Sequence, residues 1–524
     1  MVFRDLRDGA LRHRDRGERP HPHLRASQSR LSTGAALPPS RFVLAAAHTG
    51  AGKTTVAVGL IAALRRRGLD VRPFKVGPDY IDPGFLSRAA GRPARNLDAW
   101  LLDAATVRWV FDRHAGADAA VVEGMMGLFD GLTGRDDTGS TAHIARLLDL
   151  PVVVVLDASR AARSVAAVAR GCQVFDPRVR IAGWILSRVA GETHRRWVTD
   201  AVERATRRPV LGSLPEDRRL ALPERHLGLV QAHETASLGR LLARLAHEVE
   251  RRFDLTRLLG ITRERSRRSG AAVPRGLARV LARSRNAGAR DEAAPLIAWA
   301  RDAAFTFHYA DNIDLLEALG ARVVPWSPLA DRGLPPETGA IVLGGGYPEL
   351  FAAALADNRA ALDAVRAFAG RGGPVYAECG GLMYLARGIA PGRRPVYRGT
   401  SGRSAASWRL AGIVPAWVRL RPRPRVAYVL AETVRDTILA PRGTLLRGHE
   451  FHTSSLVPAP RAAVAAYRVT DAAGSSSASR LDGYGRPGVL ASYVHVNFLG
   501  DPRLAARLAA AASAAGRDDI NARR

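Results

Sequence analysis

Lysine is nearly missing from this chain. Of its 78 lysine and arginine residues only Lys53 and Lys75 are lysine, and the remaining 76 are arginine. Cysteine is equally scarce. Cys172 and Cys379 alone exclude a disulfide framework and leave the cytoplasm as the expected compartment. No run approaches eighteen apolar residues, so no membrane span is expected, and the Arg-rich first forty residues lack the apolar core of a secretory signal. Aromatic residues make up 6% of the chain and do not interleave with its basic stretches. A formal charge of +29 therefore gives poor support to nucleic-acid binding, which needs stacking platforms as well as cations. Much of that charge lies in two segments: residues 1–40 hold eight arginines against four acids, and 261–290 hold nine against one.

Where so many cations are arginine, the two lysines mark sites that a planar guanidinium does not fit. Lys53 lies in Thr49-Gly50-Ala51-Gly52-Lys53-Thr54-Thr55, after an apolar run at Phe42–Ala47 and before a helical pattern at Thr54–Arg66. Strand, glycine-rich turn and helix form the context of a phosphate-binding loop. In it, Lys53 reaches the β and γ phosphates of ATP and Thr54 offers its hydroxyl to Mg²⁺. The usual first glycine is Ala47. Lys75 opens Lys75-Val76-Gly77-Pro78-Asp79-Tyr80-Ile81-Asp82 and is read as a further phosphate contact. Glu123 closes an apolar run ahead of Gly124 and Asp130. Strand C-termini border the ligand crevice of open α/β sheets, which makes Glu123 a Mg²⁺ ligand candidate beside Thr54.

Apolar runs at Phe42–Ala47, Ala119–Val122, Val152–Leu156 and Ile181–Leu186 alternate with helical patterns, so 41–250 is expected to form a parallel α/β domain. Residues 251–294 lose periodicity and read as an Arg-rich linker, and 1–40 as a disordered basic extension. A second alternating pattern spans 295–505, with strands at Leu296–Ala300, Ala321–Pro325, Ala340–Leu343 and Pro374–Ala377. Beyond Gly388 the pattern degrades. Residues 391–408 and 471–487 read as loops, and 506–524 as a tail in which an alanine-rich helix ends in charge.

Val375–Leu385 reads as strand, tight turn and helix around Glu378-Cys379-Gly380-Gly381. Such a turn exposes a nucleophile, with the Gly380 amide and that of Gly346, in Gly344-Gly345-Gly346, as oxyanion donors. A helix N-terminus favours the Cys379 thiolate. His495 is the candidate base, met in space and not in sequence. His449-Glu450-Phe451-His452 has histidines three apart and no further ligand cluster, and reads as packing or substrate contact in preference to zinc.

Taken in order, Phe74–Pro83, Val122–Gly131, Leu222–Leu229, Gly346–Leu350, Ala377–Leu385 and Gly448–Ser454 resemble cobyrinic or hydrogenobyrinic acid a,c-diamide synthases, across about 41–250 and 295–500. The resemblance implies a P-loop domain like dethiobiotin synthetase joined to a class I glutamine amidotransferase domain, both α/β. It implies that glutamine is hydrolysed at Cys379 and His495. It also implies that ATP phosphorylates the c and a acetate groups of the macrocycle, with Asp79, Tyr80, Asp82, Glu123 and Asp130 in the synthetase site. The partners implied are a tetrapyrrole polycarboxylate, glutamine and ATP, and a homodimer is left open. Ser187 stands where the family usually has Asn near the nucleotide base. Asn497, two places after His495, replaces the acidic third member of class I glutaminases, which leaves a Cys–His dyad. Cobyric acid synthase and nickel-sirohydrochlorin a,c-diamide synthase are the nearest alternatives. A ParA-like ATPase is the alternative from another class, and it leaves Cys379 and His495 without work.

Overall fold

The parallel sheet expected at the start of the chain follows from runs that are apolar on both faces, such as Val152-Val153-Val154-Val155, and must be covered on both sides. The structure, a computed structural model, describes residues 38–222, 238–263, 270–287, 294–390, 407–474 and 478–523. It gives the backbone also at 224–225 and 228–229, and the backbone alone within 285–287 and 518–523. Strands β1 (Ser40–Ala46), β2 (Val71–Val76), β3 (Arg95–Leu97), β4 (Ala119–Glu123), β5 (Val152–Asp157), β6 (Ile181–Val189) and β7 (Val210–Pro215) form one sheet in the order β3-β2-β4-β1-β5-β6-β7. Every pairing in it is parallel. The chain leaves β1 toward β2 and later crosses back to β5, so the C-terminal end of β1 is a topological switch point, where α/β sheets bind ligands. Helix Lys53–Arg66 starts there. Its Gly59 lets helix Leu238–Arg252 approach closely, since a Cβ at 59 would stand 3.1 Å from Val249 Cγ2.

The second lobe carries β8 (Leu296–Ala300), β9 (Arg322–Trp326), β10 (Thr338–Leu343) and β11 (Val375–Glu378). A long ribbon of β12 (Val414–Thr433) and β13 (Leu445–Val457) follows, then β14 (Tyr484–Arg486) and β15 (Val489–Ser492). The sheet order is β9-β8-β10-β11-β15-β14, parallel except for the edge strand β14. The β12–β13 ribbon belongs to a separate sheet that the sequence reading did not anticipate.

Three further readings are corrected. Residues 251–294 are not a structureless linker. Helices Leu255–Ile261 and Arg275–Ala287 occupy much of the segment, and they bury Leu255, Leu258, Leu277 and Val280 against the lobes while arginines face outward. Residues 471–487 include strands Arg480–Asp482 and Tyr484–Arg486. The C-terminal segment is integral, because helix Arg503–Arg523 buries Leu504, Leu508 and Ala512, and Gly339 admits its backbone. The basic extension up to residue 37, the loop at 391–406 and the side chains of Pro223–Leu229 lie outside the described residues. Among the described residues no helix is long and apolar enough to cross a membrane.

The lobes meet through polar contacts. Arg95 Nη1 bridges Asp311 at 2.9 Å and Asp314 at 2.7 Å, Tyr428 donates to Asp98 at 2.8 Å, and Arg447 donates to the Trp100 carbonyl at 3.1 Å.

Candidate active sites

The phosphate loop closes β1. Gly50 and Gly52 hold φ of 81° and 88°, the left-handed region that glycine enters without a Cβ penalty. Two side chains of β6 fix the loop: Ser187, singled out in the sequence, donates to the Ala51 carbonyl at 2.7 Å, and Arg188, which was not, donates to the Gly50 carbonyl at 2.6 Å. Thr49, Gly50, Gly52, Lys53, Thr54 and Thr55 line a cavity of about 500 Å³, together with Leu214, Pro215, Asp217 and Leu222. Lys53 is nearly buried and donates to the Met126 carbonyl at 2.5 Å. Burial, then the neighbouring Lys75, lowers its pKa to about 8.

Thr54 donates to Glu123 Oε1 at 2.6 Å and lies 3.4 Å from Asp82 Oδ2. Lys75, read as a phosphate contact, lines the same cavity, and its ammonium is held there among acids. Its Nζ sits 2.5 Å from Asp82, 3.3 Å from Glu123 and 3.8 Å from Asp79, and it donates to the Gly124 carbonyl at 3.1 Å. Burial works to neutralise Lys75, but Asp82, Glu123 and Asp79 outweigh it and raise its pKa, because the acids would repel one another without the ammonium. Asp79 also closes the turn, accepting from the amides of Ile81 at 2.7 Å and Asp82 at 3.2 Å. Burial and the Asp82 charge raise the Asp79 pKa to about 7. Asp130 is a turn carboxylate that accepts from the Gly127 amide at 2.8 Å, and it lines neither the nucleotide cavity nor the larger one beside it. Thr54, Asp82 and Glu123 present hard oxygen donors, and Glu123 Oε2 is buried without a partner. That donor set fits Mg²⁺.

Cys379 sits on the elbow between β11 and helix Gly380–Leu385 with φ 47° and ψ −97°, strained for a residue bearing a Cβ. Its amide donates to the Ser492 carbonyl on β15 at 2.7 Å, and β15 leads within three residues to His495. Glycine clears the space around both. A Cβ at Gly345 would stand 2.7 Å from His495 Cε1, and one at Gly380 would stand 3.0 Å from the Gly346 nitrogen. The two proposed oxyanion amides are thus neighbours.

Two expectations change here. The Cys379 thiolate is not favoured at rest: burial, then the charges of Glu349 and Glu378, raises its pKa well above the usual thiol value, against the Gly380 amide. Nor does His495 stand alone with Cys379. Glu378 Oε2 lies 3.4 Å from His495 Nδ1, within ion-pair reach though outside hydrogen-bond alignment. The other oxygen of Glu378 accepts from the Tyr376 hydroxyl and, at 3.0 Å, from the Val496 amide. Asn497 turns away and caps Leu499. The residue before Cys379 thus places a carboxylate beside His495, one that the sequence displayed without assigning.

His495 is fully buried under aromatic rings. His449 stacks on it at 4.9 Å between centroids, and Tyr80 from the first lobe packs 5.2 Å away. Tyr80 also stacks on Phe307 at 5.1 Å and touches Tyr309 at 4.7 Å. In the His449–His452 segment, Glu450 is held by Arg425 and Arg480, the Phe451 carbonyl accepts from the Cys379 thiol at 3.6 Å, and His452 stacks on Tyr493. The residue between the two synthetase-loop aspartates therefore lies against the histidine of the second site.

The family models match this division. Residues 42–230 match the CobQ/CobB/MinD/ParA nucleotide binding domain, and 296–503 the CobB/CobQ-like glutamine amidotransferase domain. A cobyrinate a,c-diamide synthase of Synechococcus sp. is 41% identical over 88% of this chain and 96% of its own. Hydrogenobyrinate a,c-diamide synthases of Thermobifida fusca and Streptomyces coelicolor are 41% and 40% identical, over 90% and 91% of this chain and 97% of theirs. With two sites of this geometry and relatives aligned end to end across both lobes, the chain belongs to the cobyrinate/hydrogenobyrinate a,c-diamide synthase family.

Proposed function

We propose that the protein amidates the a and c acetate carboxylates of cobyrinate or hydrogenobyrinate in cobalamin biosynthesis, using ATP and glutamine. The observation that carries this reading is the contact of Tyr80 with His495, which joins an acid-rich phosphate site to a cysteine–histidine site within one molecule.

In the second lobe Cys379 attacks the glutamine side-chain amide as its proton passes to His495. The Gly346 and Gly380 amides face the oxyanion, and the Glu378 carboxylate stabilises the imidazolium that forms. Burial that keeps the thiol protonated at rest makes attack depend on that base. The C–N bond breaks, His495 returns its proton to the leaving nitrogen, and ammonia departs from a thioester that water then hydrolyses. In the first lobe a substrate carboxylate oxygen attacks the γ-phosphorus of ATP, ADP leaves, and an acyl phosphate forms. Ammonia displaces phosphate to give the amide. Lys53 and the loop amides hold the phosphates, and Thr54 and Glu123, with Asp82, are the residues that would hold Mg²⁺. When bound, that ion would supply charge neutralisation for phosphoryl transfer.

Replacing Cys379 with alanine is expected to abolish glutamine-supported amidation and spare amidation driven by ammonia. A folded variant that loses both would contradict the division of labour.

A further inference from the structure

The β12–β13 ribbon is regular on either side of one interruption. Pairing runs from Trp417 with Val457 to Leu420 with Ser454, and resumes at Arg425 with His452. Between these points β12 passes four residues, Arg421-Pro422-Arg423-Pro424, while β13 passes only Thr453. Proline has no amide hydrogen to give a ladder and a fixed φ, so two prolines in four residues both force the bulge and stiffen it. All four residues are exposed.

The bulge projects into a cavity of about 860 Å³ whose opposite wall is Asp79, Tyr80, Asp82, Met125 and Met126. Asp79, Asp82, Met125 and Met126 also line the nucleotide cavity, so the two spaces adjoin. Val426, 64% exposed, and Met126 give the larger one an apolar surface. The neighbouring acids are already neutralised: Arg425 holds Glu450 and Asp471, and Arg480 holds Glu450 and lies 3.6 Å from Asp482. Arg421 and Arg423 have no ion-pair partner among the described residues. A stiff bulge thus presents two uncommitted guanidiniums to a half-apolar cavity, across from the carboxylates of the phosphoryl-transfer site.

We propose that Arg421 and Arg423 are specificity-determining residues that clamp the carboxylates of the tetrapyrrole not undergoing phosphorylation, and so orient the reacting acetate toward Asp79 and Asp82. The inference rests on the amidation reading above and names how that substrate is held. Guanidinium matches a carboxylate in paired hydrogen bonds. The apolar walls suit the face of a macrocycle, and the prolines reduce what is lost on ordering the bulge.

The test is the double variant Arg421→Ala/Arg423→Ala of the full chain, assayed with cobyrinic and hydrogenobyrinic acids and titrated with each acid by absorbance without ATP. The clamp predicts that KM and dissociation constant for the acid rise roughly ten- to hundredfold, with KM for ATP unchanged. The salt dependence of acid binding should also flatten. Arg419→Ala, exposed on the same strand but outside the cavity, should bind the acid as the parent protein does. Unchanged acid binding in the double variant, with the parent protein active, overturns the clamp alone. A rise in KM for ATP instead of for the acid overturns it in favour of a nucleotide contact. A parent protein that amidates neither acid removes the amidation reading, and the clamp with it.

Discussion

Lys53 shows how burial and a like charge tune one residue for its ligand. Its pKa of about 8 means that the free protein loses the ammonium within the mildly alkaline range, whereas bound phosphates require it. The folded value lies below the ordinary lysine value, so ATP affinity should be level below pH 8. It should then fall as pH rises, by at most about tenfold per pH unit, with proton uptake on binding. Calorimetric titration with ATP in buffers of different ionisation enthalpy measures both, and a flat affinity without proton uptake across the alkaline range would contradict it. Glu378 makes the second case at this scale. Glu378→Gln keeps the shape and removes the charge that faces His495 Nδ1, so glutamine-supported turnover should fall by about 10²-fold or more while ammonia-supported turnover persists. Equal loss with both nitrogen sources would place Glu378 in the fold and not in the base. Lys53, Thr54 and Cys379 could be nominated from sequence because local motifs carry them, whereas His495 could be nominated only as a base to be met in space. Glu378 was visible but unassigned, since only the pairing of β11 with β15 brings it to His495. For Lys75 the sequence did not show that three acids from two chain segments converge on it.

Among the elements, the nucleophile elbow depends on glycine where backbones nearly touch. A Cβ on Gly346, at φ 154°, would stand 2.0 Å from the Ala304 carbonyl oxygen. Gly346→Ala should therefore destabilise the protein by about 1–3 kcal/mol and depress the glutaminase reaction more than the ammonia reaction. Denaturant melts paired with the two assays check this, and unchanged stability would refute the close approach. Strands such as β1, β4, β5, β6, β8, β10 and β11 were legible because they are apolar on both faces, whereas β3, β7, β14 and β15 were not read as strands. Nor was the β12–β13 ribbon. Its exposed middle reads Arg-Pro-Arg-Pro, a composition that denies a strand, and register with β13 on either side is what restores it. The helices at 255–261 and 275–287 were obscured by their arginines, although Leu277, Val280 and Leu281 keep the spacing of a buried helical face.

At the scale of the whole molecule, two lobes that match separate domain families meet through side chains of the synthetase loop and its neighbours. Tyr80 rides on the synthetase loop and rests on His449 and His495, while Arg95, Asp98 and Trp100 tie the same lobe to the other. A formal charge of +29 suits association with polyanionic small molecules and comes without interleaved stacking aromatics. The central claim is that one chain couples glutamine hydrolysis to phosphorylation of a tetrapyrrole carboxylate. Its most direct measurement is mass spectrometry of cobyrinic and hydrogenobyrinic acids incubated with the protein, ATP, Mg²⁺ and glutamine labelled with ¹⁵N in its side-chain amide. The account predicts that at least one acid gains two amides, each carrying the label, with ATP hydrolysed in step. Neither acid changing mass, or amides forming without the label, would contradict it.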